Sequence, residues 1–511
     1  MPFGEEFIYF RRNRTSGIGA PAEGIFPVYG PQTETRPSGA VDINVGDTWQ
    51  TVVNGQSAGT TFWIKAGTHR NQTVAVRAGD TYIGEYGAIM SGARNITAGV
   101  VSWTLSGSQW FITGQTQSNG TGPSFCFSAY PMCGQAEDLW MDGVLKTRVA
   151  TLAECGAGEW FFDLAADRIY VGDNPNLATI IETGVTQYAF TGTAANVTIK
   201  NLVIEKYACH AQTAPVGEQT GAGSGWTISR NEFSNNHGMG LRLGHTMTAT
   251  RNYIHHNGQM GMGGTGDDCI VNINSINYNN VQFDFGWEGG GTKFVNTNRL
   301  ILRENFVSFN IGPGLWLDIN NDAYLIEDNT VQDNHSNGFN ASSAGIFIEI
   351  SGGGVIRNNT IERNGFGWTG DDWLFGAGIV IAASGRSAAT TVPDFGPVTG
   401  IEIYGNDVLL NLDGIALIQQ PRPEIPPPWG GEHLVENVYA HDNTVRMAVG
   451  LNGAVTDSGS NAIFLSRNNR FENNFYFTSG STNFFAWDNA QRTFASWQTY
   501  GHDDTGSCTV F

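Results

Sequence analysis

The second half of the chain repeats one alternation of apolar and polar positions. An apolar stretch runs to an Asn, five residues lead to a second Asn, and a Gly-led apolar alternation follows. The phrase reads RLILRENFVSFNIGPGLWLDI over 299–319, then YLIEDNTVQDNHSNG and AGIFIEI within 324–350. It returns as VIRNNTIERNG and GAGIVIA within 355–382, and as IEIYGNDVLLNLDGIALI over 401–418. Its Asn pairs are Asn305/Asn310, Asn329/Asn334, Asn359/Asn364 and Asn406/Asn411, with earlier copies at Asn231/Asn236, Asn252/Asn257 and, more loosely, Asn274/Asn279. Self-similarity at this period marks a stacked architecture. The unit holds short β runs and no helix, so it predicts a solenoid of strands.

Such a coil accounts for the residue types. Each turn lays its strands parallel to those of the next, ~4.8 Å away. Leu315, Leu317 and Ile319, like Ile346, Ile348 and Ile350, are expected to point inward. Trp316, Asp318, Phe347 and Glu349 then face outward. Corners call for Gly and Asn, which tolerate left-handed backbone angles. Stacked Asn amides can form a hydrogen-bonded ladder. A β-sandwich with Asn-Gly turns has no reason to repeat the same Asn spacing.

Composition fits this picture. Sixty-seven Gly and only 14% charged residues suit tightly turned β structure. A solenoid can extend 511 residues as one elongated domain. No apolar run is long enough for a membrane span. The net charge of −20 disfavours nucleic acid as a partner. A polyanionic glycan would need a local basic pocket or bound cations. Lys65, Lys146, Lys200, Lys206 and Lys293 are the whole lysine set, and only Lys293 falls among the central turns. The six Cys show no zinc spacing. Cys126 and Cys133 are close enough to bridge a loop, but buried free thiols are the expectation.

With these repeats the chain resembles the right-handed parallel β-helix proteins of the pectate-lyase-like superfamily, which include polysaccharide lyases, glycoside hydrolases, epimerases and phage tailspikes. The segment TFWIKAGTHRNQTVAVRAGDTYIGEYGAIMSGA at 61–93 is similar to their opening turns. LWMDGVLKTRV and EWFFDLAADRIYVGDNP, within 139–175, are similar to a small β subdomain inserted early in several glycan-acting members. The resemblance implies an all-β, right-handed parallel β-helix over 41–511, with an inserted subdomain at 135–185. Residues 1–40 are expected to be an attachment or capping segment. The N-terminus shows no recognisable signal peptide, and the implied location is extracellular or on a virion. The implied partners are a polysaccharide and, for a tailspike, other virion proteins. The fold hosts many chemistries, so reaction type must come from a site.

If Gly314 and Gly345 mark one point in successive turns, Asp318 and Glu349 share an outward column. Placing Asn280 at that point in the turn before brings Asp284 into the column. Ala382 and Ile418 then follow on one side, Thr265 and Gly244 on the other. Like charges stacked in neighbouring turns are costly, which suggests a functional return. FGWEGGGTKF at 285–294 adds Trp287, Glu288 and Lys293. Trp287, Trp316 and Phe347 are expected to offer aromatic faces to a sugar, and His245 a further sugar contact or proton shuttle. His255 and His256 read as corner residues. GTGDD at 264–268 and GDDW at 370–373 are weak candidates for Ca²⁺, and the Pro-rich excursion 419–433 carries Trp429.

Two mechanisms suit the acids. In hydrolysis one carboxyl protonates the glycosidic oxygen and another attacks or activates water, with carboxyl separations of ~5–5.5 Å for retention and ~6.5–9.5 Å for inversion. In β-elimination, acids hold Ca²⁺ against a uronate while Lys293 serves as the base. One Lys in an acidic chain is thin provision for a polyuronate, which favours hydrolysis. Ca²⁺ remains the one cofactor the alternatives admit. A non-catalytic coil that binds glycan is the reading from a different class.

Overall fold

The computed structural model describes residues 28–218, 221–284, 288–335, 342–367, 374–384, 398–420, 434–480 and 483–511. Among these residues the chain winds through three long sheets as an all-β, right-handed parallel β-helix. Sheet 1 has 13 strands, from Val41–Ile43 to Arg470–Glu472. Sheet 2 also has 13, from Gly67–Arg70 to Ser507–Val510. Sheet 3 has 10, beginning at Met239–Leu243 and closing with the antiparallel strand Ala490–Arg492. One full turn visits Ile301–Arg303, Phe306–Ser308 and Leu315–Asp318 before the next begins at Leu325–Glu327.

Strands in sheets 1 and 2 are mostly three residues long, so period-two alternation sends only the middle side chain inward. Leu302, Ile326, Ile356 and Ile403 stack in this way, paired in register and buried. Burying each such side chain stabilises the coil by about 1.5–3 kcal/mol. At the other end of the alternation, Leu315, Leu317, Ile346 and Ile348 of sheet 3 join the same core. Ile319 does not join it. It lies half-buried in a left-handed turn (φ 57°).

The Asn residues form two buried ladders. At the corner between sheets 1 and 2, side-chain amides run from Asn231 through Asn252, Asn274, Asn305, Asn329, Asn359, Asn406 and Asn443 to Asn474. After sheet 2 a second ladder runs from Asn236 through Asn257, Asn279, Asn310, Asn334 and Asn364 to Asn411. The left-handed angle falls on the residue just before each Asn: Glu304 (φ 54°), Phe309 (φ 54°), Asp328 (φ 56°) and Asp333 (φ 55°). A non-Gly residue pays ~1–2 kcal/mol there, and the amide bonds of the next residue offset it. The glycine that leads each sheet 3 strand serves a different need. A Cβ on Gly314 would stand 2.7 Å from Gly345 O and 2.9 Å from Asn334 Nδ2, so the second ladder leaves no room for a side chain.

Between Ser91 and Phe190 the chain leaves the coil. A four-stranded sheet (Ala93–Asn95, Leu139–Met141, Val144–Leu145, Ile181–Gly184) and a five-stranded sheet spanning Thr104–Ser106 to Arg168–Val171 enclose a separate core of Ile96, Leu139, Trp160, Ile169 and Ile181. The inserted strands thus begin at Ala93, ahead of residue 135. The alternation of 93–113 resembles further turns of the coil, which hides the departure. Cys126 and Cys133 are disulfide-bonded, contrary to the expectation of free thiols. Cys155, Cys209, Cys269 and Cys508 are free.

Residues 1–27 lie outside the described residues. The part of the leading segment that is described runs along the coil. Gln32 N donates to Asn201 Oδ1 (2.6 Å), Asn201 Nδ2 donates to Gln32 O (2.7 Å), and Lys200 meets Glu34 at 2.8 Å. The helix Trp49–Asn54 then buries Trp49 and Val53 in the core. No helix among the described residues is long and apolar enough to cross a membrane.

Candidate functional site on sheet 3

Three neighbouring strands of sheet 3 carry the site: Gly290–Phe294, Leu315–Asp318 and Ile346–Glu349. Asp318 pairs with Glu349 and Trp316 with Phe347, both pairs on the outward side. The column continues to Ala382 and Ile418, so the acids stop after Glu349. In the preceding turn Phe294 pairs with Leu317, which sets Lys293 beside Trp316.

Lys293 is the centre of the cluster. Its Nζ lies 2.6 Å from Glu288 Oε2, 2.8 Å from Asp318 Oδ2 and 3.9 Å from the centroid of the Trp316 ring. The Lys293 and Asp318 side chains are 4% and 0% exposed, and that of Glu288 is 27% exposed. Burial opposes charge on Lys293, but Asp318, Glu288 and Glu349 together outweigh it and raise the pKa. Lys293 is therefore held as a cation.

Asp284 is not in the column. The sequence offers two ways to align its turn, because 12 residues separate Asn279 from Gly291 (291 − 279) where only 4 separate Asn310 from Gly314 (314 − 310). Gly291 stands beside Gly314, with Thr292 N donating to Gly314 O at 3.0 Å. The position expected for Asp284 falls to Val295. Asp284 sits before the strand, and its N–H donates to Phe125 O of the insert at 2.9 Å.

The aromatic residues are placed differently from the expectation of open faces. Trp316 and Phe347 stack at 5.5 Å and Phe375 meets Phe347 edge-on at 6.0 Å. Trp316 and Phe347 are buried in a second apolar cluster with Ala344, Leu374 and Val380. Trp316 Nε1 has no hydrogen-bond partner among the described residues. His245 is exposed at the corner after Met239–Leu243. It accepts from Asp267 N at 3.2 Å, well away from the acids in register. His255 and His256 lie at the corner before Asn257, Nδ1 to Nδ1 at 2.8 Å. Trp287, Trp429 and residues 370–373 lie outside the described residues.

Sequence reasoning missed Gln259 and Arg242. Gln259, fully buried, accepts from Gln212 N and donates to Glu288 O at 3.1 Å. Arg242 occupies the Lys293 column two turns back, separated from it by Gly263. Its Nη1 donates to Gln212 O at 2.8 Å, and burial lowers its pKa. A Gln in a run of Met and Gly was the available signal for the first. The same alternation marked the second, since Arg242 precedes Gly244 by two residues as Trp316 precedes Asp318.

A Ca²⁺ ion does not fit this cluster. Asp318 and Glu288 direct oxygens at the Lys293 ammonium, and a divalent cation would have to share them with a buried positive charge. Among the described residues no group of three or more His, Cys, Asp or Glu is arranged to hold a metal. In the 264–268 loop, Asp268 is paired with Arg299 and Asp267 accepts from Asn298 N.

Comparison by sequence with curated proteins finds no match. Residues 219–392, about a third of the chain, match the right handed beta helix region family. Among solved structures, the complex of XylC with xylose is similar with a TM-score of 0.56 at 13% identity, covering 83% of this chain and 80% of that one. The A-module of the Azotobacter vinelandii mannuronan C-5 epimerase AlgE6 aligns at 13% identity and a TM-score of 0.41, covering 90% and 92%. The Pseudomonas phage phi297 tailspike gp61 aligns at 10% identity and a TM-score of 0.32, covering 86% and 70%. The first likeness agrees with the fold described above.

Proposed function

We propose that this right-handed parallel β-helix protein acts on a polysaccharide and cleaves its glycosidic bonds with carboxyl groups on the outer face of sheet 3. The observation that carries the reading is the register of Asp318 with Glu349, one turn apart, beside the Lys293–Glu288 pair. A coil of the same fold holds xylose in the XylC complex.

Three carboxyl groups surround one ammonium, so the cluster carries an excess of negative charge. Glu349 takes the role of general acid to the glycosidic oxygen. Asp318, fixed by Lys293, is the nucleophile or the base that activates water. Carboxyl groups on adjacent turns, ~4.8 Å apart in backbone, favour the retaining geometry of ~5–5.5 Å. Glu288, the most exposed of the acids paired with Lys293, orients that lysine and faces the ligand. Arg242, in the same column, suits a carboxylate or sulfate on a neighbouring sugar. Elimination is the weaker route, because a base must be neutral and Lys293 is held charged.

A coil that binds glycan without cutting it is the second reading, and the complete burial of Asp318 favours it. The bonded Cys126–Cys133 pair suits work in an oxidising setting outside the cell or on a virion. Co-fractionation with secreted material or with virions tests that location.

The deciding experiment incubates the protein with a panel of neutral and acidic glycans and follows both reducing ends and the ultraviolet absorbance of unsaturated products. Reducing ends alone establish hydrolysis. Both signals together establish elimination, and neither across the panel leaves the binding reading. Glu349→Gln and Asp318→Asn should each abolish cleavage. Full turnover in either variant would remove that residue from the chemistry.

A further inference from the structure

Residues 282–284 are held by the insert as well as by the coil. Phe127 N donates to Gln282 O (3.1 Å), Cys126 bridges Phe283 in antiparallel fashion, and Asp284 N donates to Phe125 O (2.9 Å). Residues 125–127 thus act as a short strand against 282–284, four residues ahead of Glu288. The Cys126–Cys133 disulfide closes the loop that presents this strand.

His237 ties the other end of the loop. Its Nδ1 lies 3.0 Å from Asp138 Oδ2 and its Nε2 lies 2.7 Å from Cys133 O. Both partners are acceptors, so only the doubly protonated imidazolium satisfies them. Asp138 Oδ2 also accepts from Gln282 Nε2 at 3.0 Å. One carboxylate therefore joins the coil's His237 to the segment leading to Glu288. Phe283 is fully buried edge-on to the His237 ring, 5.5 Å between centroids, within a cluster containing Cys133 and Ala211. The charged and titratable groups facing the pair are Glu137 beside His237, and Tyr130, Arg148 and Cys209 around Asp138.

We propose that His237 is a positioning residue. Together with the Cys126–Cys133 bond it clamps residues 282–284 to the insert and so sets where Glu288 meets Lys293. The clamp exists whatever the site does, but its effect on turnover rests on the glycan-cleaving reading. Burial opposes protonation of His237, yet Asp138 and the Cys133 carbonyl raise its pKa above the usual 6.5. A raised value means the clamp is complete below that range and is lost as pH rises through the raised value.

The test is backbone hydrogen exchange on the full chain, reading the amides of Phe127 and Asp284 against Ile326 in the core of sheet 1 as internal reference. His237→Gln, compared with wild type at one pH, should raise exchange at both amides tenfold or more and leave Ile326 unchanged. Reduction of the disulfide, or the Cys126→Ser/Cys133→Ser variant, should do the same without touching His237. In wild type the ratio to the reference should climb as pH rises, and in His237→Gln it should stay flat. Unchanged exchange in both the histidine variant and the reduced protein would overturn the clamp. With a cleaved glycan in hand, kcat should be lower in His237→Gln, and the gap to wild type should narrow as pH rises through the range where His237 loses its proton. Absence of any cleavage would instead count against the proposed function, and the exchange data would still decide the clamp.

Discussion

Asp503 ends the first ladder by accepting from Asn474 twice, from the backbone N at 2.8 Å and from Nδ2 at 2.9 Å, both on Oδ1. Its Oδ2 accepts from Tyr476 OH at 2.9 Å and Trp497 Nε1 at 2.8 Å. All four partners are donors. Along the ladder an amide must both give and take, but at its end only acceptance is required, which a carboxylate meets on both oxygens. Asp503→Asn, although it installs the ladder's own residue, should therefore turn an NH₂ toward donors and destabilise the protein by about 1–3 kcal/mol. Chemical unfolding of the variant checks this. Equal or greater stability would mean that the terminal position behaves like any other rung.

Within the ladder the amide is irreplaceable for the converse reason. Asn305 Nδ2 donates to Val271 O (2.9 Å) and Asn329 Oδ1 (3.0 Å), while its Oδ1 accepts from the N and Nδ2 of Asn274 (3.0 Å each). Asn305→Ala strands several buried groups at about 1–3 kcal/mol each, so a loss of about 3 kcal/mol or more is expected. Asn305→Asp should fare no better, because it lacks both donors and buries a charge. The preceding residue is the control. Glu304→Gly, which relieves a left-handed angle at the surface, should change stability by no more than about 1 kcal/mol. Denaturant midpoints of the three variants give the comparison.

The coil was legible because its constraints recur: successive turns repeat the ladder Asn, the Gly clearance and an inward apolar residue. The pairing of Asp318 with Glu349 followed from the Gly314 and Gly345 alternations alone. What the sequence hid lies where the chain departs from the period. The stretch between Asn279 and Gly291 admits two alignments, and the wrong one places Asp284 where Val295 stands. The burial of Trp316 and Phe347 depends partly on Leu374 and Phe375, which precede their strand and follow no repeat. The His237–Asp138 contact joins residues 99 apart, one in the coil and one in the insert, and no spacing rule connects them.

Lys293 also serves the fold. Its removal leaves Asp318 buried without its ammonium partner, and one-sided loss from a buried pair costs about 3–5 kcal/mol. Lys293→Met should show a loss of that order. In Lys293→Met/Asp318→Asn the orphaned charge is gone, so the double variant should be more stable than the sum of the singles by about 0.5–3 kcal/mol. Strict additivity in a double-mutant cycle would show that the ion pair does not couple the two turns.

Asp413 gives the opposite case, a buried acid that the protein would hold more cheaply without its charge. It opens the sheet 3 strand Asp413–Gln419, where its Oδ1 accepts from Leu451 N at 2.9 Å. Burial pushes its pKa up to about 6, only partly opposed by that hydrogen bond. The folded value exceeds the unfolded one, so the native state binds the extra proton. The stabilisation is fully present below about pH 4 and is lost as pH rises through about 6. At neutral pH the ionised group then costs about 2–3 kcal/mol relative to its protonated form. Asp413→Asn keeps an oxygen for Leu451 N and removes the charge. It should raise stability at pH 7 by up to that amount, change it little near pH 4, and flatten the stability curve between the two. Thermal unfolding of both proteins across that range measures the difference, and an equal slope in variant and wild type would mean that the Asp413 pKa does not change on folding.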